Sequence, residues 1–187
     1  MTKRDDLIKT AFELFYQHGV HSVGINQILA ETGVAKKTLY SHFASKEALL
    51  EAVIAYRDER FRLWLFGLMD AHTDPEEVVQ AMFDGLDDWF NDRVDVLMPF
   101  QGCFFVKVNA EFLQHRVNEL CFEHKQAIVD YLVRRLSQHY AAEAAQRLAS
   151  QLALLKEGAI AQAYLGKDRQ AAQVAWRLAQ GLLSTGR

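Results

Sequence analysis

The chain has 187 residues, half of them hydrophobic, with two prolines, ten glycines, two cysteines and a formal net charge of -3. That length and apolar fraction support a buried core and exclude a disordered chain, while so few Pro and Gly residues exclude a turn-rich all-β fold. The charged start (Lys3, Arg4, Asp5, Asp6) leads into no apolar signal region and no window approaches the roughly 18 apolar residues of a membrane span, so a soluble cytoplasmic protein with Cys103 and Cys121 as free thiols is expected.

Ala, Leu, Glu, Gln, Arg and Lys, the best helix formers, fill most of the chain, and the fold expected is all-α with about nine helices. Leu7, Ile8, Ala11, Phe12, Leu14 and Phe15 recur at spacings of three and four, which predicts a first helix ending near Gly19. Ile25, Ile28 and Leu29 form a second, shorter stripe up to Gly33. Leu39, Tyr40 and Phe43 form a third after a turn of a few residues. Two short helices joined by a tight Gly-containing turn are a helix-turn-helix.

Ser45 can cap a fourth helix with Glu47 in its first turn, and the pattern Leu49, Leu50, Val53, Ile54, Phe61, Leu65, Leu68 meets no breaker before Gly67. Asp74, Pro75 and Glu77 mark the next start: an Asp N-cap, a Pro where the missing N–H is harmless, and a Glu three residues past the cap. The fifth helix carries Val78, Val79, Met82, Phe83, Leu86, Trp89 and Phe90. Val94 to Gln101, with Pro99, reads as a loop ending at Gly102. A short apolar helix from Cys103 to Phe112 and a longer one through Val117, Leu120, Cys121, His124, Ile128, Leu132 and Leu136 follow. The last two helices are rich in Ala, and small side chains of that kind suit either an inner core position or a symmetric four-helix dimer interface.

A net negative charge argues against nucleic acid as a partner, but the charge is unevenly placed: residues 1–47 sum to +1 and the remainder to -4. Lys36, Lys37 and Lys46 lie close together in that first segment, and phosphate contact needs a local cluster rather than a basic protein.

The run Gly33-Val34-Ala35-Lys36-Lys37-Thr38-Leu39-Tyr40-Ser41-His42-Phe43-Ala44-Ser45-Lys46-Glu47 closely resembles the recognition helix and following helix start of the TetR family of repressors. The match continues upstream through Ala11, Phe15, Gly19, Ile25, Ile28 and Ala30, and covers about the first quarter of the chain. The resemblance implies a helix-turn-helix DNA-binding domain over 1–47 and a helical effector-binding and dimerisation domain over 48–187. It implies that Lys36, Lys37, Thr38 and Ser41 meet base edges or nearby phosphates, and that Tyr40, His42 and Lys46 contact phosphate. The chemistry agrees: Lys can donate to guanine O6 or N7, and the Thr methyl can touch a thymine methyl. Asn26 adds a polar group from the second helix. Ala35 departs from the Ser common in the family, which removes a cap and predicts a less firmly started third helix.

The resemblance further implies a homodimer through the last two helices, a palindromic double-stranded operator, and a small-molecule effector held among helices four to seven. The aromatic excess there (Phe61, Trp64, Phe83, Trp89, Phe90, Phe104) suits a hydrophobic or aromatic effector or, equally, an ordinary core. Cys103 and Lys107 join that candidate set. A thiol at a helix start near a lysine gains reactivity, which would make Cys103 a redox or electrophile sensor; the plain alternative is a small buried hydrophobe. The expected function is a ligand-responsive DNA-binding repressor that releases its operator when the effector binds. The competing readings are an all-helical enzyme or carrier, a redox-sensing regulator acting through Cys103, and a dimeric scaffold without DNA affinity. No catalytic motif is found in the sequence, the histidines form no ligand set, and neither metal nor cofactor is expected.

Overall fold

The computed structural model describes residues 2–112 and 115–185, and every regular element among them is an α-helix. In chain order these are α1 (Lys3–His18), α2 (Ile25–Thr32), α3 (Lys36–His42), α4 (Lys46–Asp70), α5 (Pro75–Phe90), α6 (Phe104–Glu111), α7 (His115–Leu136), α8 (Ala142–Leu165) and α9 (Ala171–Thr185). The all-α expectation with about nine helices is met. The side chain of His115, one of the seven histidines, lies outside the described residues.

Local signals account for most helix ends. Thr2 opens α1 with a capping box that the sequence reading missed: its hydroxyl accepts from the Asp5 N–H at 3.2 Å, and its own N–H donates to the Asp5 carboxylate at 3.0 Å. The Ser45 hydroxyl accepts from the Ala48 N–H at 3.2 Å at the start of α4. At α5 the Asp74 carboxylate accepts from Glu76 N–H at 2.8 Å and Glu77 N–H at 3.3 Å, with Pro75 in the first turn. Gly67, the expected breaker, does not end α4. Its position is exposed and a methyl there would meet nothing, so its cost is the intrinsic ~1 kcal/mol of a helical glycine, and burial of Leu65 and Met69 on either side outweighs it.

By contacts the described chain forms two compact units that do not follow chain order: Met1–Glu59 with Phe104–His124, and Arg60–Cys103 with Lys125–Arg187. In the first, α1 buries Leu7, Ile8, Ala11, Phe12, Phe15 and Tyr16, and α6 joins it. The Phe104 ring meets Phe12 edge-on at 5.3 Å, and the Lys107 ammonium donates to the Tyr16 carbonyl at 3.2 Å while sitting 5.2 Å from the Tyr16 ring. The other end of α6 holds the α1–α2 loop: Glu111 accepts from the His21 N–H at 2.8 Å, and Phe112 stacks on the His21 ring at 4.7 Å.

The second unit is a helical layer of α5, α8 and α9 with the later part of α4 and α7. Ala145, Ala149, Ala159 and Ala163 on α8 and Ala171, Ala172, Ala175 and Ala179 on α9 are buried, which lets these helices approach closely. Their outward faces are not polar: Leu154, Leu165, Val174 and Leu178 are exposed. Gly102, at φ +84°, ends the loop before α6; a side chain there would be backbone-strained and would press on the Tyr164 ring at 2.8 Å. Among the described residues no helix is long and apolar enough to cross a membrane.

Candidate nucleic-acid interface

The site is built by a three-residue turn between α2 and α3. Gly33 adopts the left-handed conformation (φ 66°, ψ 10°) and returns its N–H to the Leu29 carbonyl, closing α2. Thr32 tightens the exit, its hydroxyl donating to the Ile28 carbonyl at 2.8 Å and accepting from the Val34 N–H at 3.3 Å. Ala35 stands at the N-cap of α3 with no side-chain hydrogen bond, so the helix starts without a side-chain cap, as its sequence predicts.

Hydrophobic burial then sets the rotation of α3. Leu39 is fully buried and Phe43 nearly so, which fixes one face against α1 and α2. Lys36, Lys37, Tyr40, Ser41 and His42 are exposed and Thr38 is half-buried. Tyr40 is 45% exposed. The Ser41 hydroxyl donates to the Thr38 carbonyl at 2.7 Å and keeps its lone pairs for an incoming donor. Asn26 is exposed at the second position of α2.

Lys46 is placed differently from the other lysines. Its ammonium donates to the Val20 carbonyl at 2.6 Å and lies 5.8 Å from the Phe15 ring, so it ties the α1–α2 loop to the start of α4. Burial lowers its pKa, opposed by Glu47 and Glu111. Two further residues border these helices. Gln27 is exposed beside Asn26, a position the apolar stripe of α2 already left free. Arg4 sets its guanidinium 5.3 Å from the Phe43 ring, adding positive charge at the end of α3; no local pattern announces that contact.

The candidate effector residues divide between the two units. Phe104 and Lys107 belong to the first, packed on Phe12 and Tyr16 as described. Phe61, Trp64 and Trp89 form a mutual edge-on cluster in the second, at 5.3, 5.5 and 6.4 Å. Phe90 packs on Phe100 at 4.7 Å, and Phe83 lies 6.4 Å from Trp176. Cys103 is half-buried, and the ammonium that donates to its sulfur, at 3.1 Å, is that of Lys125.

Residues 7–53 match the family model described as bacterial regulatory proteins, tetR family. The chain is 34% identical over 94 residues to the HTH-type transcriptional regulator LmrA of Bacillus subtilis, an alignment covering half of each protein. It is 24% identical over 168 residues to the uncharacterized HTH-type transcriptional regulator YxaF of the same organism, covering 89% of this chain and 87% of YxaF. Among solved structures, SCO4454, a TetR-family transcriptional regulator from Streptomyces coelicolor, superposes with a TM-score of 0.86 and 28% identity over 98% of this chain and 95% of that one.

Proposed function

We propose that the chain is a tetR-family, ligand-responsive repressor that binds a palindromic operator as a homodimer. The observation that carries this reading is the division of α3, with Leu39 and Phe43 inward and Lys36, Lys37, Tyr40 and His42 outward. A helix so seated presents its start to base edges in the major groove while its basic and hydroxyl groups reach phosphate. Residues 1–47 supply the DNA-binding part, with Asn26, Thr38, Ser41 and Lys46 as further contacts. Lys46 keeps two N–H donors beyond the one given to Val20.

Two recognition helices must sit about 34 to 36 Å apart to enter successive major-groove faces, so a single copy is insufficient. The outward face of α8 and α9 supports pairing. It carries exposed Leu154, Val174 and Leu178 around a groove of about 310 Å³ floored by Gly158, Ala159 and Ala175. The effector is taken up by residues 48–187. Because α4 is continuous from Lys46 to Asp70, displacing its later turns would be carried to its start and change how the recognition helices present themselves. The site of action is the cytoplasm, where the operator is.

The test is fluorescence anisotropy with a short palindrome from the protein's own promoter and a scrambled duplex, across a range of salt. The operator should bind at least about 10³-fold more tightly than the scrambled duplex. Lys36→Ala and Lys37→Ala should each flatten the dependence of log affinity on log salt by about one. Equal affinity for both duplexes, or unchanged salt slopes, would refute the reading.

A further inference from the structure

Arg4 is a cation that the first unit holds in place without engaging its hydrogen-bond donors. It stands exposed in the first turn of α1, one and two turns ahead of buried Ile8 and Ala11, so it heads the stripe by which that helix packs. Its guanidinium lies over the Phe43 ring, 5.3 Å from the centroid. The turn that carries it is fixed, because Thr2 and Asp5 close the capping box around it. The carboxylate of Asp5, its acidic neighbour, accepts from the Thr2 N–H at 3.0 Å. Among the described residues no hydrogen bond or ion pair engages the Arg4 guanidinium.

A guanidinium carries five N–H donors, and a contact with an aromatic face uses its charge but none of them. An arginine that only braces the fold turns those donors to acceptors, as Arg135 does with the Asp70 carboxylate and the His72 carbonyl. Phe43 is the residue that closes α3, returning its N–H to the Leu39 carbonyl, and the exposed His42 ring lies 6.3 Å from its own. Arg4 is therefore brought from α1 to the C-terminal end of α3. Recognition helices meet base edges with their first residues, while the C-terminal end of such a helix lies against the sugar-phosphate backbone. A planar cation with free donors at that end matches a phosphate, to which it can donate twice.

We infer that Arg4 is a DNA-contacting residue, donating to a backbone phosphate beside the C-terminal end of α3 from the platform of the Phe43 ring. A phosphate contact adds affinity and fixes the seating of the protein without choosing sequence. The inference rests on the reading of α3 as the recognition helix, and extends the DNA surface to α1.

The experiment uses the full chain, the palindrome from its own promoter and the scrambled duplex, with anisotropy titrations at several salt concentrations. Arg4→Gln keeps much of the side chain and removes the charge. It should weaken both duplexes alike, by at least about fivefold, and flatten the dependence of log affinity on log salt by about one per half-site. Arg4→Lys should restore the slope, since it keeps the charge, but only part of the affinity, since it loses the paired donors. Neutral methylphosphonates substituted one phosphate at a time then locate the contact: at one position in each half-site the neutral linkage should weaken the wild type and leave Arg4→Gln unaffected. An unchanged slope in Arg4→Gln, or no position at which the two proteins differ, overturns the inference. So does a loss confined to the palindrome, which would show Arg4 acting through the fold of α3. Flattened slopes in Lys36→Ala and Lys37→Ala with none in Arg4→Gln refute the inference and keep the operator reading. Equal wild-type affinity for both duplexes, with a flattened slope in Arg4→Gln, refutes that reading and keeps the phosphate contact.

Discussion

Truncating Leu154 and Leu178 together tests the proposed pairing of subunits through α8 and α9. In one protomer these side chains are 74% and 57% exposed, both at the groove between α8 and α9. Complete burial of a leucine is worth about 1.5–3 kcal/mol, so covering what remains exposed places about 2–4 kcal/mol per protomer, and twice that per symmetric dimer, in this contact. Alanine retains one carbon of each side chain, so the double variant should lose at least about 3 kcal/mol of dimerisation, roughly a hundredfold or more in Kd. Sedimentation equilibrium over a wide concentration range gives that constant directly. The monomer should be unharmed, because substitutions at exposed positions change stability by no more than about 0.5 kcal/mol. Operator affinity should fall at low protein concentration and return once concentration exceeds the new dimer constant. A dimer constant within about threefold of wild type would refute the reasoning, since that corresponds to well under 1 kcal/mol.

Removing the cap of α5 with Asp74→Ala deletes two hydrogen bonds to backbone N–H groups and should cost about 1 kcal/mol, seen as a lower urea midpoint at unchanged slope. Gly102→Ala combines a positive φ with a methyl aimed at the Tyr164 ring, and should cost at least about 2 kcal/mol; a melting temperature equal to wild type would show that the loop accommodates it. Glu157 gives a pH dependence with a definite sign. Burial alone would raise its pKa, but Lys156 and Lys125 outweigh that and hold it at about 2 against an ordinary 4.5. A depressed carboxylate contributes stability that is present above its unfolded value and is lost as pH falls toward the folded one, between about pH 5 and about pH 2. Glu157→Gln should therefore be less stable than wild type near neutrality, the two stability curves converging in acid; parallel curves would refute the assignment.

The exposure of the residues proposed for DNA contact could be read from the sequence because its determinants are local. Gly33, Leu39 and Phe43 lie within a few residues of one another, and helical spacing puts Lys37 and Ser41 opposite Leu39 and Phe43. The caps at Ser45 and Asp74 were legible for the same reason. Gly67 misled because propensity is a weak prior, and packing on both sides carried the helix through it.

Sequence periodicity by itself determined which stretches are helical, where most of them begin, and which face of α3 is free, all within reach of one or two helical turns. Only the tertiary structure decided that α6 packs on α1 through Phe104 and Lys107, that Lys46 holds the Val20 carbonyl, and that Lys125 meets Glu157 and Cys103. Those contacts join residues 22 to 92 positions apart along the chain, and at such separations a side chain's partner is chosen by how whole helices bury their apolar faces, which no local spacing records.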